Sequence, residues 1–418
     1  MNFRLTRTLL VAGALGIVVA GCQEQLTAPG SCPATCPGGT PVLRDTVLDA
    51  LVGQDELYSG YLTRGATLAG MRAANGLDGH TDYGIVRFVA RPDSLPLRDT
   101  IPTDSITPKA TYTIDSVTIT VTLLARDTSV SGIRLALHRL PSTTDTTATF
   151  ADIDPLIVPG TLIDSVTIAD SVRPSFTYRF LFQGDTLALV DIPAADTGVF
   201  AMAVAISGGS ATGVRIGGIG SGAGVPLMRT YVTVNTTDTT PSVKHQVVQT
   251  RPRFTTYVSS EPAPAADSTV LSVGTPGGTR AYIRFPWPAY LKDTALLARA
   301  TLELVPEVPF NGLPGDSTFL NIHGVRLDFG AKSPLINPFG GTRVLPVGSA
   351  DTLRVDVVTI VQAWQRDQLP LPPLLVAIVD PEGAAFTEPR FYSTRSPVAA
   401  RRPRLRITYQ LPFDFERP

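Results

Sequence analysis

Histidine and cysteine are scarce in this chain, with 4 and 3 among 418 residues. His80, His138, His245 and His323 stand far apart, with no His-Glu-x-x-His and no Gly-x-Ser-x-Gly elbow around any serine. The short motifs of metalloprotease and serine-hydrolase chemistry are therefore missing. Charge of one sign is missing too: 35 Lys+Arg face 36 Asp+Glu, a formal charge of -1. No basic stripe invites nucleic acid, and no acidic tail is present. Long amphipathic helical patterns are nearly absent, the best candidate being Val357 to Gln368, where Val358, Val361 and Trp364 share a side. Gly218-Ile219-Gly220-Ser221-Gly222-Ala223 has the spacing of a dinucleotide loop, but it leads into the strand-like run Arg229 to Val234. A dinucleotide loop must open a helix, so a plain glycine turn is expected and no cofactor is implied. Asp49, Asp55, Glu56, Asp152 and Asp154 are carboxylates without a pairing pattern, read as solvated turns. A non-catalytic protein is the expectation.

What is present begins at the N-terminus. Arg4 and Arg7 precede an uncharged apolar run from Leu9 to Ala20. That run is shorter than the ~20 residues needed to cross a hydrocarbon core, so it reads as an export leader. It ends at Val19-Ala20-Gly21-Cys22, which resembles the lipobox of bacterial lipoproteins. The resemblance implies a leader of residues 1–21, a diacylglyceryl group on the Cys22 sulfur, and acylation of the new terminal amine. Two or three acyl chains hold a protein at a membrane, since each buried methylene contributes ~0.8 kcal/mol. Gln23 is not the Asp that retains such proteins at the inner membrane, so the outer membrane is expected, with the body facing periplasm or cell surface. Cys32 and Cys36 remain, and an exported protein favours their pairing as a disulfide over a two-thiol metal site. Residues 22–42, rich in Pro, Gly, Thr and Gln, read as a flexible tether.

Beyond the tether the pattern changes to short alternating runs bounded by Pro, Gly, Asp and Ser clusters. In Ser116 to Leu124, Val117, Ile119, Val121 and Leu123 lie on one face and threonines on the other, the signature of a half-buried strand. Similar runs occur at Ile133 to Leu140, Thr186 to Ile192, Phe200 to Ile206, Met228 to Val234, Ala300 to Val305, Leu353 to Val358, Leu374 to Val379 and Leu405 to Tyr409. With 36 Gly and 36 Pro, this predicts an all-β body of antiparallel sandwiches. The segments Tyr83 to Phe88, Asp115 to Val121, Thr186 to Asp191 and Val204 to Ile206 with Pro226 to Val234 recur in the same order. Their counterparts are Ala281 to Phe285, Ala298 to Leu304, Thr352 to Asp356 and Val376 to Ile378 with Arg402 to Tyr409. Two copies of one domain are thus expected, over residues 43–236 and 243–414, divided by a polar Thr-rich linker.

The second copy, with Val361-Gln362-Ala363-Trp364, then Phe391-Tyr392-Ser393-Thr394-Arg395-Ser396, then Arg402-Pro403-Arg404-Leu405-Arg406, is similar to the DNRLRE-type domain of secreted and surface bacterial proteins. That resemblance implies a jelly-roll sandwich related to carbohydrate-binding modules. Trp287 and Tyr290, held among prolines, could offer stacking faces to a sugar, and Arg395 and Arg402 could meet its carboxylates, although core packing and solvated turns compete for each. The first copy lacks a counterpart of Trp364 and carries Ile216-Gly217-Gly218 in place of the Tyr-Ser-Thr-Arg segment, so it is expected to be a spacer. The functional expectation is a lipid-anchored envelope scaffold or adhesion module. A polysaccharide-binding lipoprotein is the alternative, and the partners are the membrane together with polysaccharide or another envelope protein.

Overall fold

The computed structural model describes residues 43–59, 69–97, 109–172, 175–191, 198–237, 241–260, 268–274, 278–335, 340–369, 373–378 and 384–411. Cys22, Cys32 and Cys36, and with them the leader and tether, lie outside the described residues. The body is all-β, in antiparallel sheets. Period-two alternation produces strands where it was read: the 15-residue strand Tyr112–Arg126 points Val117, Ile119, Val121 and Leu123 into the core, each no more than 1% exposed. Its threonine face is not fully solvated, because Thr118 and Thr122 are buried and Thr122 shares a 2.9 Å hydrogen bond with Thr177 on the adjacent strand. The run Thr186 to Ile192 departs from expectation and forms a 3-10 turn over Gly184–Leu189. Gly184 takes a left-handed φ of 57°, and the Thr186 hydroxyl both accepts from the Gln183 N–H and donates to its carbonyl. Such local bonding competes with a sheet ladder and turns the chain. The short helix Val358–Gln365 forms as read, with Ile360, Val361 and Trp364 buried.

Two bodies result. In the C-terminal one, a four-stranded sheet runs Leu43–Asp49, Arg404–Gln410, Leu296–Leu304, Leu353–Asp356. Facing it, a five-stranded sheet runs Asp55–Tyr58, Arg280–Arg284, Pro373–Ile378, Phe319–Gly324, Gly340–Val344. Leu302, Val355 and Leu405 from the first sheet and Ile283, Ile322 and Val376 from the second enter one core, closed by Trp364. The N-terminal body is a single 11-stranded sheet that curls so that Tyr112–Arg126 and Ala201–Ser207 contribute to one core through Ile119 and Val204.

The bodies are built alike. His80–Phe88 pairs with Ala201–Ser207 as Arg280–Arg284 pairs with Pro373–Ile378. Tyr112–Arg126 pairs with Leu227–Val234 as Leu296–Leu304 pairs with Arg404–Gln410. The counterpart of Leu353–Asp356 is Phe176–Gln183, not the run at Thr186, since each lies antiparallel on the equivalent long strand, Phe180 against Ile119 and Val355 against Leu302. Two strands complete each body, and these do not follow the expected boundaries at 43–236 and 243–414. The pair Leu43–Asp49 and Asp55–Tyr58 hydrogen-bonds to Arg404–Gln410 and Arg280–Arg284, so it belongs to the C-terminal body. The equivalent pair, His245–Thr250 and Pro252–Ser259, lies on Leu227–Val234 and His80–Phe88 of the N-terminal body. Each copy's leading strands are therefore exchanged into the other copy.

A buried contact joins the two bodies as well. Ala74, Leu77 and Ala125 pack with Leu313 and Phe386. Beside them the Arg72 guanidinium is buried, pairs with Asp82 at 2.7 Å, donates to the Ala385 carbonyl at 3.3 Å, and lies 4.9 Å from the Phe386 ring. Arg215 holds Asp316 in a bidentate pair at 3.0 and 2.7 Å. Gly213 lets the chain pass close to this contact, since a Cβ there would come within 3.1 Å of the Phe386 ring and the ring would have to shift by a few tenths of an ångström. Removing one partner of a buried ion pair strands the other charge at a cost of about 3–5 kcal/mol, whereas replacing both by apolar groups is often neutral. Arg72→Met is thus expected to lower the unfolding free energy by about that amount in urea titration, and the double change Arg72→Met with Asp82→Leu to recover most of it.

Candidate functional site

The motif segment Tyr392-Ser393-Thr394-Arg395-Ser396 follows the short strand Arg390–Tyr392 and turns back through the Ser396 N–H, which donates to the Ser393 carbonyl at 3.2 Å. That turn aims Thr394 and Arg395 at one carboxylate. Asp55, whose side chain is wholly buried, accepts from the Thr394 N–H at 3.2 Å, the Thr394 hydroxyl at 2.6 Å and Arg395 Nη1 at 2.7 Å. Arg395 Nη2 donates to the Gly53 carbonyl at 3.2 Å, and the Gly53 N–H donates to Thr394 Oγ1 at 3.0 Å. Hydrogen bonds to a charged group contribute roughly 1.5–3 kcal/mol each, and a buried carboxylate stripped of them would not be tolerated. The motif thus clasps the leading strands 339 residues away in sequence.

The N-terminal body has the same turn with different chemistry. Ser221 N–H donates to the Gly218 carbonyl, and the Ile219 N–H donates at 2.8 Å to the hydroxyl of buried Thr255. Thr255 sits opposite Val86 and Asp55 opposite Ile283, equivalent places in the two bodies. One clasp is ionic and the other neutral. The glycine run there is a turn before the strand Leu227–Val234, as its sequence context suggested.

The residues proposed for a sugar are placed as follows. Trp287 is half-buried and meets Trp364 edge-on at 5.6 Å, on the rim of the core. Tyr290 is 38% exposed, leans on Tyr409 at 5.5 Å and donates to Thr46 Oγ1 at 3.3 Å. Arg395 is engaged by Asp55, and Arg402 Nε donates to the Ser396 carbonyl at 2.9 Å, closing its own loop. Tyr409 and Arg402 stand near opposite ends of one stretch of chain, seven residues apart or ~23 Å at ~3.3 Å per residue. Tyr290 and Arg402 are thereby kept apart, and both arginines serve the fold.

Sequence reasoning missed Asp55, which it read with the solvated carboxylates. Of the others, Glu56 accepts from the Ala331 N–H at 3.2 Å, Asp152 accepts from the N–H of the N-cap residue Thr149 at 2.9 Å, and Asp154 accepts from the Tyr83 hydroxyl at 2.8 Å. The N-terminal body also carries a feature that a spacer does not require. An apolar cleft of about 370 Å³ is lined by Leu140, Leu156, Leu162, Ile163 and Leu189, with Arg139 and Thr161 as its polar members. Among the described residues no cluster of three or more His, Cys, Asp or Glu is placed to hold a metal ion, and no helix is long and apolar enough to cross a membrane.

No family model and no curated protein matches the chain. Among solved structures, the C-terminal domain of the Streptococcus pyogenes antigen I/II-family protein AspA aligns over 83% of this chain and 92% of its own. Identity is 8% and the TM-score 0.14, a level that transfers neither fold nor function.

His138, next to the cleft, lies 3.1 Å from Thr161 Oγ1. Burial holds its pKa below the ordinary 6.5, against an opposing hydrogen bond to the Val158 backbone. The unfolded chain therefore binds the proton first as pH falls. Stability is expected to decline as pH drops from about 6.5 toward the folded-state pKa, and to level off below it. Urea titrations between pH 7.5 and 5 should show this slope, and His138→Gln should flatten it.

Proposed function

We propose that this chain is a non-catalytic, lipid-anchored protein of the bacterial cell envelope, working by contact as a scaffold or adhesion module. The observation that carries the reading is the pairing of the first described strand with the last, Leu43 opposite Gln410. A tether running from an acylated Cys22 through residue 42 delivers the chain directly into the C-terminal body. That body is then the one joined directly to the anchor, and the N-terminal body, with its cleft beside Arg139, is attached through it. Coupling of the bodies suits such a role: the leading strands in the C-terminal sheets, the contacts of Arg72 with Ala385 and Phe386, and the Arg215–Asp316 pair oppose separation of the two bodies when one is tethered and the other meets a partner. The partner on this reading is another envelope component, protein or polysaccharide, and no cofactor is needed.

The anchor is tested by Cys22→Ser. The substituted protein is expected to lose labelled-palmitate incorporation and to move from the membrane to the soluble fraction. Unchanged labelling and partitioning would remove the basis for placing the protein at a lipid surface.

A further inference from the structure

The exchange of leading strands is reciprocal, and the two clasps differ in a way that assigns each strand pair to its acceptor. If Leu43–Tyr58 lay in the N-terminal body, Asp55 would take the place of Thr255, opposite the Ile219 N–H, as a buried carboxylate without the Thr394 hydroxyl and Arg395 guanidinium that satisfy it in the C-terminal body. If His245–Ser259 lay in the C-terminal body, Thr255 would face Arg395, which is 40% exposed and would lose only a counter-ion to solvent, so the discrimination rests on Asp55. A buried, unpaired charge is strongly disfavoured, so the Asp55–Arg395 pair acts as an address. The address reads chemistry and not connectivity. Among the described residues, Leu43–Tyr58 is held by Arg404–Gln410, Arg280–Arg284, Thr394, Arg395, Ala331 and Tyr290 of the C-terminal body.

We infer that the C-terminal body is an acceptor for the leading strands of a second copy of this chain, so that neighbouring molecules link by passing Leu43–Tyr58 from one to the next. Exchange in trans makes the same contacts as exchange in cis, and the balance between them is set by effective concentration, the condition under which domain swapping gives oligomers at little cost. Both leading strands lie at sheet edges, where departure disrupts one ladder each.

The inference is independent of the lipid anchor and is tested in the full chain with Cys22, Cys32 and Cys36 replaced by serine. Val47 lies opposite Arg406 in the observed pairing, and its counterpart Gln249 lies opposite Arg229 in the N-terminal body. The double variant Val47→Cys with Arg406→Cys should close an intrachain disulfide at low concentration, and failure to close would overturn the exchange itself. Single variants of different mass, Val47→Cys and Arg406→Cys, are then refolded together over a range of concentrations and oxidised. A mixed disulfide dimer should form in a yield that rises with concentration and exceeds the yield of Val47→Cys with Arg229→Cys by at least several-fold. Asp55→Asn, which keeps the hydrogen-bonding shape without the charge, should shrink that preference. No mixed dimer at any concentration would restrict the exchange to one chain. Equal yields with the Arg229→Cys partner would show that the ionic clasp is not an address.

Discussion

A single carboxylate with no access to water organises this molecule. Asp55 is held by the N–H and hydroxyl of Thr394 and by the guanidinium of Arg395, and these in turn bind both backbone groups of Gly53. Ionised acceptors in such surroundings form the strongest class of hydrogen bond, and they are costly to leave half made. The chain satisfies Asp55 by carrying residues 43–58 past the nearest sheet and into a distant one. Residues 245–259 take the equivalent place in the N-terminal body, on Leu227–Val234 and His80–Phe88.

The displacement has mechanical and spatial consequences. The C-terminal body is not continuous in sequence with the two strands that complete it, whereas the N-terminal body closes on the strands that follow it directly, so the chain cannot be cut between the copies without leaving an open edge on the C-terminal body. The interface adds an apolar patch around Phe386, the buried Arg72 guanidinium reaching the Ala385 carbonyl and the Phe386 ring, and the fork of Arg215 on Asp316. Planar guanidinium groups suit this place, since they stack on an aromatic ring and bind a carboxylate at the same time. The two bodies are thus joined by chain connectivity and by side-chain contacts at once.

Much of the fold was legible residue by residue. Val117, Ile119, Val121 and Leu123 announced their strand through strict alternation, and Trp364 its helix through spacing, because each depends on neighbours only a few positions away. The short repeats at Tyr83 and Ala281 marked strands that prove equivalent in pairing. The run at Thr186 misled, because apolar alternation there coexists with a glycine at positive φ and a threonine that bonds its own backbone. The candidate ligand residues were harder. Arg395 and Arg402 look like exposed cations in the sequence, and only their partners, Asp55 and the Ser396 carbonyl, show them committed to structure.

By itself the sequence determined the class of structure, its two-fold repetition and the place of most strands, since all of these are recorded in local period and composition. Tertiary structure alone decided which strands complete which body, where the carboxylates go, and which aromatic rings face solvent. The physical reason is that edge pairing is a choice between two nearly equivalent ladders. That choice turns on one buried charge and its partner, 340 residues apart, a separation that no window of local pattern can span.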